Sequence, residues 1–147
     1  MTADDHIKNE ARKLLQECAF EYRLVGSMAV RGSGTDVDIA VLTVSENKAR
    51  RLISGLEALA GDPHGLLSSG DSYPGTFTRI RDGLVEFLIT DSVELFNAWV
   101  IGAELGKVLE RLGVHVDKSM RIALVEMLVH GDDKIAVTKA LQHKGKS

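Results

Sequence analysis

The chain has 147 residues, with 18 Lys and Arg against 21 Asp and Glu for a formal charge of −3, 44% hydrophobic residues, one Cys and two Pro. These values describe one soluble domain, long enough to bury roughly 70% of the surface its unfolded chain would expose without disulfide staples. They argue against a surface that is a nucleic-acid footprint throughout, and no apolar run approaches the roughly 20 residues of a membrane span.

The start, Met1-Thr2-Ala3-Asp4-Asp5-His6, is acidic and polar and lacks the positive start and apolar stretch of a signal peptide. Ile7, Ala11, Leu14, Leu15 and Cys18 recur at helical spacing and predict an amphipathic helix over about residues 4–19. Cys18 on that apolar face reads as a reduced core thiol, so the cytoplasm is the expected compartment. Leu24-Val25 predicts a short strand running into a turn at Gly26-Ser27. After a Gly-rich loop, Asp36-Val37-Asp38-Ile39-Ala40-Val41-Leu42 alternates as a second strand. Thr43 or Ser45 can cap a helix carrying Ala49, Leu52, Ile53, Leu56 and Leu59, which Gly61-Asp62-Pro63 should break.

Gly65 to Gly75 shows little periodicity, whereas Thr76 to Ile80 and Leu84 to Ile89 read as strands joined by the Asp82-Gly83 turn signal, giving an antiparallel hairpin in a mixed sheet. Asp91 with Glu94 forms a candidate capping pair. Helices are then expected over roughly 93–112, carrying Leu95, Trp99, Leu105, Val108 and Leu112, over 117–129, and from Asp133. The expected fold is therefore α/β (α+β): a small mixed β-sheet flanked by helices in residues 1–92, with a helical C-terminal third in 93–147, forming a single domain.

The chemistry concentrates between Leu24 and Ile39. Strand alternation points Asp36 and Asp38 to one side and Val37, Ile39 and Val41 to the other. Two carboxylates at that separation repel, and a hard divalent cation such as Mg²⁺ relieves the repulsion with oxygen ligands. Gly26-Ser27 offers a backbone that can approach a ligand closely, with N–H groups and a hydroxyl for phosphate oxygens, particularly if Met28 begins a short helix. Glu86 is the one acidic residue inside an otherwise apolar strand, flanked on its own face by Leu84 and Leu88, and is costly to bury unless it reaches a metal, a base or solvent. Arg31 and Arg79 are candidates for neutralising phosphate charge, because a guanidinium suits phosphate recognition.

A hydrophobic strand, Gly26-Ser27, a short Gly-containing loop, Asp36-x-Asp38 and a later acidic strand residue resemble the nucleotidyltransferase superfamily built on the DNA polymerase β-type catalytic core. The resemblance covers roughly residues 22–90. It implies that Gly26 and Ser27 bind a nucleoside triphosphate such as ATP, that Asp36 and Asp38 hold two Mg²⁺ ions, and that Glu86 is the third ligand. It further implies transfer of a nucleoside monophosphate to an acceptor hydroxyl by a two-metal mechanism. Eight residues (28–35) separate Gly-Ser from the first Asp, where many relatives have a slightly longer loop, and Glu stands where Asp is commoner. The small size is similar to minimal, antitoxin-type members.

Other readings stand beside this one. The chain can be a nucleotidyltransferase-fold module that no longer catalyses and serves as a binding or regulatory subunit. Glu86 can be an edge-strand carboxylate paired with Arg79 or Arg81, and Asp82 competes as third ligand. Asp117 to Gln142 can form a DNA-reading helix-turn-helix, although residues 133–142 offer only Lys134, Lys139 and Gln142 for an exposed face. His64, His115, His130 and His143 lack metal-ligand spacing and read as surface or interface residues. The acceptor can be a small molecule, protein or RNA, and a homodimer is a possible assembly.

Overall fold

The apolar run Ile39-Ala40-Val41-Leu42 is buried on both of its faces, which only a central strand achieves. The computed structural model of the protein describes residues 2–60, 67–68 and 77–131. In chain order these form a 3₁₀ turn (Ala3–His6), α1 (Asn9–Cys18), β1 (Glu21–Val25), α2 (Gly26–Arg31), β2 (Val37–Leu42), α3 (Glu46–Ala60) and β3 (Leu67–Ser68). They continue with β4 (Phe77–Asp82), β5 (Val85–Thr90), α4 (Val93–Arg111) and α5 (Lys118–His130). The Gly61-Asp62-Pro63 breaker, Gly65, Gly75, His64, His143 and the helix expected from Asp133 lie outside the described residues, as does the proposed helix-turn-helix from residue 132 onward.

The five strands lie in the order β1-β2-β5-β4-β3, with β2 and β5 parallel and every other pair antiparallel. The sheet is mixed, as expected. Val37, Ile39 and Val41 of β2, with Phe87 and Ile89 of β5, bury against Leu15 of α1 and Leu52 and Leu56 of α3. Ala40 and Leu42 face the opposite way and join Val25, Val30, Leu95, Phe96 and Trp99 in a second core under α2 and α4. Alternation alone assigns one face of β2 to the core. The structure corrects this, because the central parallel pair is covered by helices on both sides.

Three local differences from the sequence reading have physical causes. The first helix is interrupted: Thr2 N–H donates to Asp5 Oδ2 at 2.8 Å and closes the 3₁₀ turn, Ile7 is extended, and α1 starts afresh at Asn9. The cap of α4 is Ser92, whose hydroxyl accepts from Leu95 N–H at 3.1 Å, in place of the Asp91–Glu94 pair. Of the five apolar residues that marked this helix, Leu95 and Trp99 are buried, Trp99 lying 5.2 Å from Phe77 between ring centres. Leu105, Val108 and Leu112 are exposed, the first two on the outer side of α4 and the last just past its end. Cys18 is buried and unpaired, as its place on the apolar face of α1 predicts. Among the described residues no helix is long and apolar enough to cross a membrane.

Candidate functional site

The second face of the sheet is not sealed at the end where β1 hands over to α2. Val25, the last residue of β1, pairs with Asp38 of β2, so the next residue, Gly26, lies directly against the Asp38 side chain. Gly26 has φ +72°, and a Cβ built there would stand 2.3 Å from Asp38 Oδ2. Glycine is needed on both counts: the left-handed backbone disfavours other residues, and the carboxylate fills the space a side chain would take. α2 then runs for six residues and ends at Gly32. The returning loop passes so close to Ser27 that a Cβ at Gly34 would lie 2.6 Å from its hydroxyl oxygen.

Asp36 ends that loop, and Asp38 follows two residues later in β2. The parallel pairing of β2 with β5 sets Asp38 beside Glu86 in register. Residues at opposite ends of half the chain thus share one face of adjacent strands. They line a cleft of about 830 Å³, bounded by Gly26, Ser27 and the 33–36 loop on one side and by residues of α4 and α5 on the other.

The three carboxylates are not equivalent. Burial pushes Asp38 up to about 6 from the usual 3.8, reinforced by the negative charges of Glu86 and Asp36 and opposed by Arg121 and Arg79. Among the described residues no donor reaches the Asp38 carboxylate. Glu86 is only 6% exposed and is fully engaged. Its Oε1 accepts from Arg79 Nε, and its Oε2 from Arg81 at 3.2 Å. Arg81 also reaches Asp36 at 3.3 Å, and this hydrogen bond, with the charges of Glu86, Asp36 and Asp38, holds the Arg81 guanidinium above its ordinary range.

A divalent cation suits this set unevenly. Asp36 and Asp38 offer carboxylate oxygens on one side of the chain, and the Asp38 carboxyl is raised by burial and by the neighbouring carboxylates, a combination that a divalent cation would relieve. Glu86 fits less well, since two guanidiniums hold both of its oxygens. Among the described residues no three His, Cys, Asp or Glu side chains gather around one point.

The structure brings all seven residues singled out in sequence to the cleft, and Gly26, Ser27, Asp36, Asp38, Glu86 and Arg79 border it in the places expected of a site. Arg31 borders it too, but as the last residue of α2 and not in the loop, and its guanidinium is committed to structure. It donates to Glu110 at 2.8 Å, lies 3.1 Å from His115 Nε2, and donates to the Val116 carbonyl, tying α2 to the segment between α4 and α5. β5 is flanked by β2 and β4, so Glu86 is not an edge-strand residue. Asp82 points away from the cleft toward Lys8, 3.3 Å off.

Sequence reasoning gave Arg81 as an edge-strand charge or a partner of Glu86 across the hairpin, and the pairing is observed, while its reach to Asp36 was not anticipated. Counting outward from the Asp82-Gly83 turn pairs Arg81 with Glu86, as observed. Lys118 and Arg121 were not singled out for this site, and nothing local in the sequence links α5 to β2.

No protein-family model, curated protein or solved structure matches the chain, so the chemistry of the cleft has to be argued from its own residues.

Proposed function

We propose that this protein is a Mg²⁺-dependent nucleotidyltransferase that binds a nucleoside triphosphate in the cleft between the sheet and α5 and transfers its nucleoside monophosphate to an acceptor hydroxyl. The observation that carries the reading is Asp38: a part-buried carboxylate without a donor, in register with Glu86, packed against the Gly26 backbone at the foot of the cleft. Asp36 and Asp38 would hold Mg²⁺, which when bound supplies positive charge against phosphate oxygens and lowers the barrier to attack by the acceptor hydroxyl. Gly26 lets the backbone lie against the bound group, and Ser27 contributes a hydroxyl donor beside it. Arg79 and Arg81 carry positive charge to the same rim while holding Glu86 in place. In this reading the chain works in the cytoplasm, where the buried Cys18 thiol stays reduced. The acceptor is a small molecule, a protein or an RNA. The assembly is a homodimer, which sedimentation equilibrium checks: a single monomer mass removes it.

A second reading is favoured by one specific feature. Each oxygen of Glu86 accepts from an arginine, so two guanidiniums already neutralise the charge that a metal ligand would offer a cation. In that case the cleft binds its ligand without turning it over, as a regulatory or partner-binding module.

Calorimetric titration with ATP, GTP, CTP and UTP, with Mg²⁺ and with EDTA, separates the readings from each other and from neither. Binding that requires Mg²⁺ and is lost in Asp38→Asn is the expected result. If Glu86→Gln also abolishes product formation from a responding nucleotide, the enzyme reading stands. Metal-dependent binding without nucleotide consumption in the presence of hydroxyl acceptors supports the silent module. A folded wild type that binds no nucleotide sinks both.

A further inference from the structure

The wall of the cleft opposite the carboxylates carries cations that the fold leaves without partners. Lys118, Arg121, Ile122 and Val125 all line the cleft, and their spacing of three, four and seven residues puts them on one face of α5. That face is held close by α4. A Cβ at Gly102 would lie 3.1 Å from Val125 Cγ2, so the absence of a side chain there lets α5 pack against α4 and presents Arg121, one turn earlier, to the cleft.

The other charges around the cleft, Asp38 apart, are spoken for. Arg31 is paired with Glu110, Arg79 and Arg81 with Glu86, and Asp36 with Arg81. Asp117 accepts from Met120 N–H as the cap of α5. Among the described residues, Lys118 and Arg121 make no side-chain hydrogen bond or ion pair. Arg121 is part-buried, and burial, with the like charge of Arg31, lowers its pKa, while Asp38 and Asp117 act in the opposite sense. A partly desolvated guanidinium without a partner costs stability that an anion would restore.

We propose that Arg121 and Lys118 form a polyphosphate-binding subsite across the cleft from Asp38. Its assignment to the two terminal phosphates of a nucleoside triphosphate rests on the nucleotidyltransferase reading above. The division of labour is electrostatic: carboxylates on the sheet side attract the metal, and free cations on the α5 side take the charge that the metal does not neutralise. The flat, forked guanidinium of Arg121 can engage two phosphate oxygens at once, whereas Lys118 acts as a point charge nearer solvent.

The test uses inorganic tripolyphosphate in EDTA, followed by ATP and AMP with Mg²⁺, titrated calorimetrically into wild type, Arg121→Gln, Lys118→Gln and Asp38→Asn. Lys107→Gln, which removes a cation outside the cleft, controls for net charge. Circular dichroism checks that each variant is folded, and Arg121→Lys retains the charge without the fork if Arg121→Gln does not fold. The subsite predicts that Arg121→Gln weakens tripolyphosphate and ATP by roughly tenfold or more while AMP, which lacks the terminal phosphates, changes less than about twofold. Asp38→Asn should act with opposite signs, strengthening metal-free tripolyphosphate by removing a repelling charge and abolishing metal-dependent ATP binding. If Arg121→Gln and Lys118→Gln bind tripolyphosphate no more weakly than Lys107→Gln, the subsite is overturned, whatever ATP does in Asp38→Asn. If Arg121→Gln loses tripolyphosphate but ATP binding ignores both Mg²⁺ and Asp38, the subsite stands and the nucleotidyltransferase reading falls.

Discussion

Asp38→Asn should raise the stability of the metal-free protein at neutral pH, even though it removes the residue on which the proposed activity depends. In the folded protein the Asp38 carboxyl titrates at about 6, against 3.8 for the free side chain, because ionisation there means a part-buried negative charge beside Glu86 and Asp36. A group whose pKa is raised by folding favours the folded state while protonated. That contribution is fully present below about pH 4 and is lost as pH rises through 6. Above that point the ionised Asp38 costs up to about 3 kcal/mol, the free-energy equivalent of the difference between the two pKa values. Asparagine has nearly the same shape and no charge, so in EDTA at about pH 7.5 it should raise Tm by several degrees, and near pH 4 the two proteins should unfold together. Adding Mg²⁺ at neutral pH should stabilise wild type more than Asp38→Asn, which keeps Asp36 but loses the part-buried carboxylate whose charge the ion would neutralise. Thermal unfolding across pH 4–8 with and without Mg²⁺ reads all three effects. A variant less stable than wild type at neutral pH would show that Asp38 supports the fold rather than straining it.

The expectations that succeeded rest on local signals. Asp82-Gly83 between two β-rich runs specified the β4–β5 hairpin, with Gly83 at φ +64° in its turn. Alternation around Asp38 put Val37, Ile39 and Val41 on one face and the aspartate on the other. The isolated acid in an apolar strand drew attention to Glu86, which is buried at the cleft. What sequence did not supply is who faces whom across the fold. That Asp38 meets Glu86 depends on β2 and β5 pairing in parallel across an intervening helix and hairpin, and a parallel register leaves no turn motif to count from. The partners of Arg31 lie on the α4–α5 connection, and Arg121 reaches the cleft only because Gly102 lets two helices close on each other. A residue-type argument can nominate an arginine for phosphate. It cannot tell one already satisfied by Glu110 from one without a side-chain partner.

The tightest constraint in the cleft is the contact between Gly26 and Asp38, and Gly26→Ala should be the most damaging single methyl that can be added there. Two costs combine. Alanine at φ +72° is strained by about 1–2 kcal/mol, and its Cβ would sit 2.3 Å from Asp38 Oδ2, so the carboxylate or the β1–α2 turn must shift at a further cost of about 1–3 kcal/mol. Gly32 separates these effects. It has nearly the same φ, +70°, with nothing within 4 Å of its missing Cβ, so Gly32→Ala should show the backbone strain alone. The excess of Gly26→Ala over Gly32→Ala in urea unfolding then measures the clash. That excess should shrink by about 1–2 kcal/mol in an Asp38→Ala background, where Oδ2 and Cγ are gone and only the Asp38 Cβ, at 3.1 Å, remains. Strict additivity of the two substitutions would mean that Gly26 is required by the turn and not by the carboxylate. Coupling would mean that the glycine is kept small to bring backbone and acid together, the arrangement a ligand bridging the two would need.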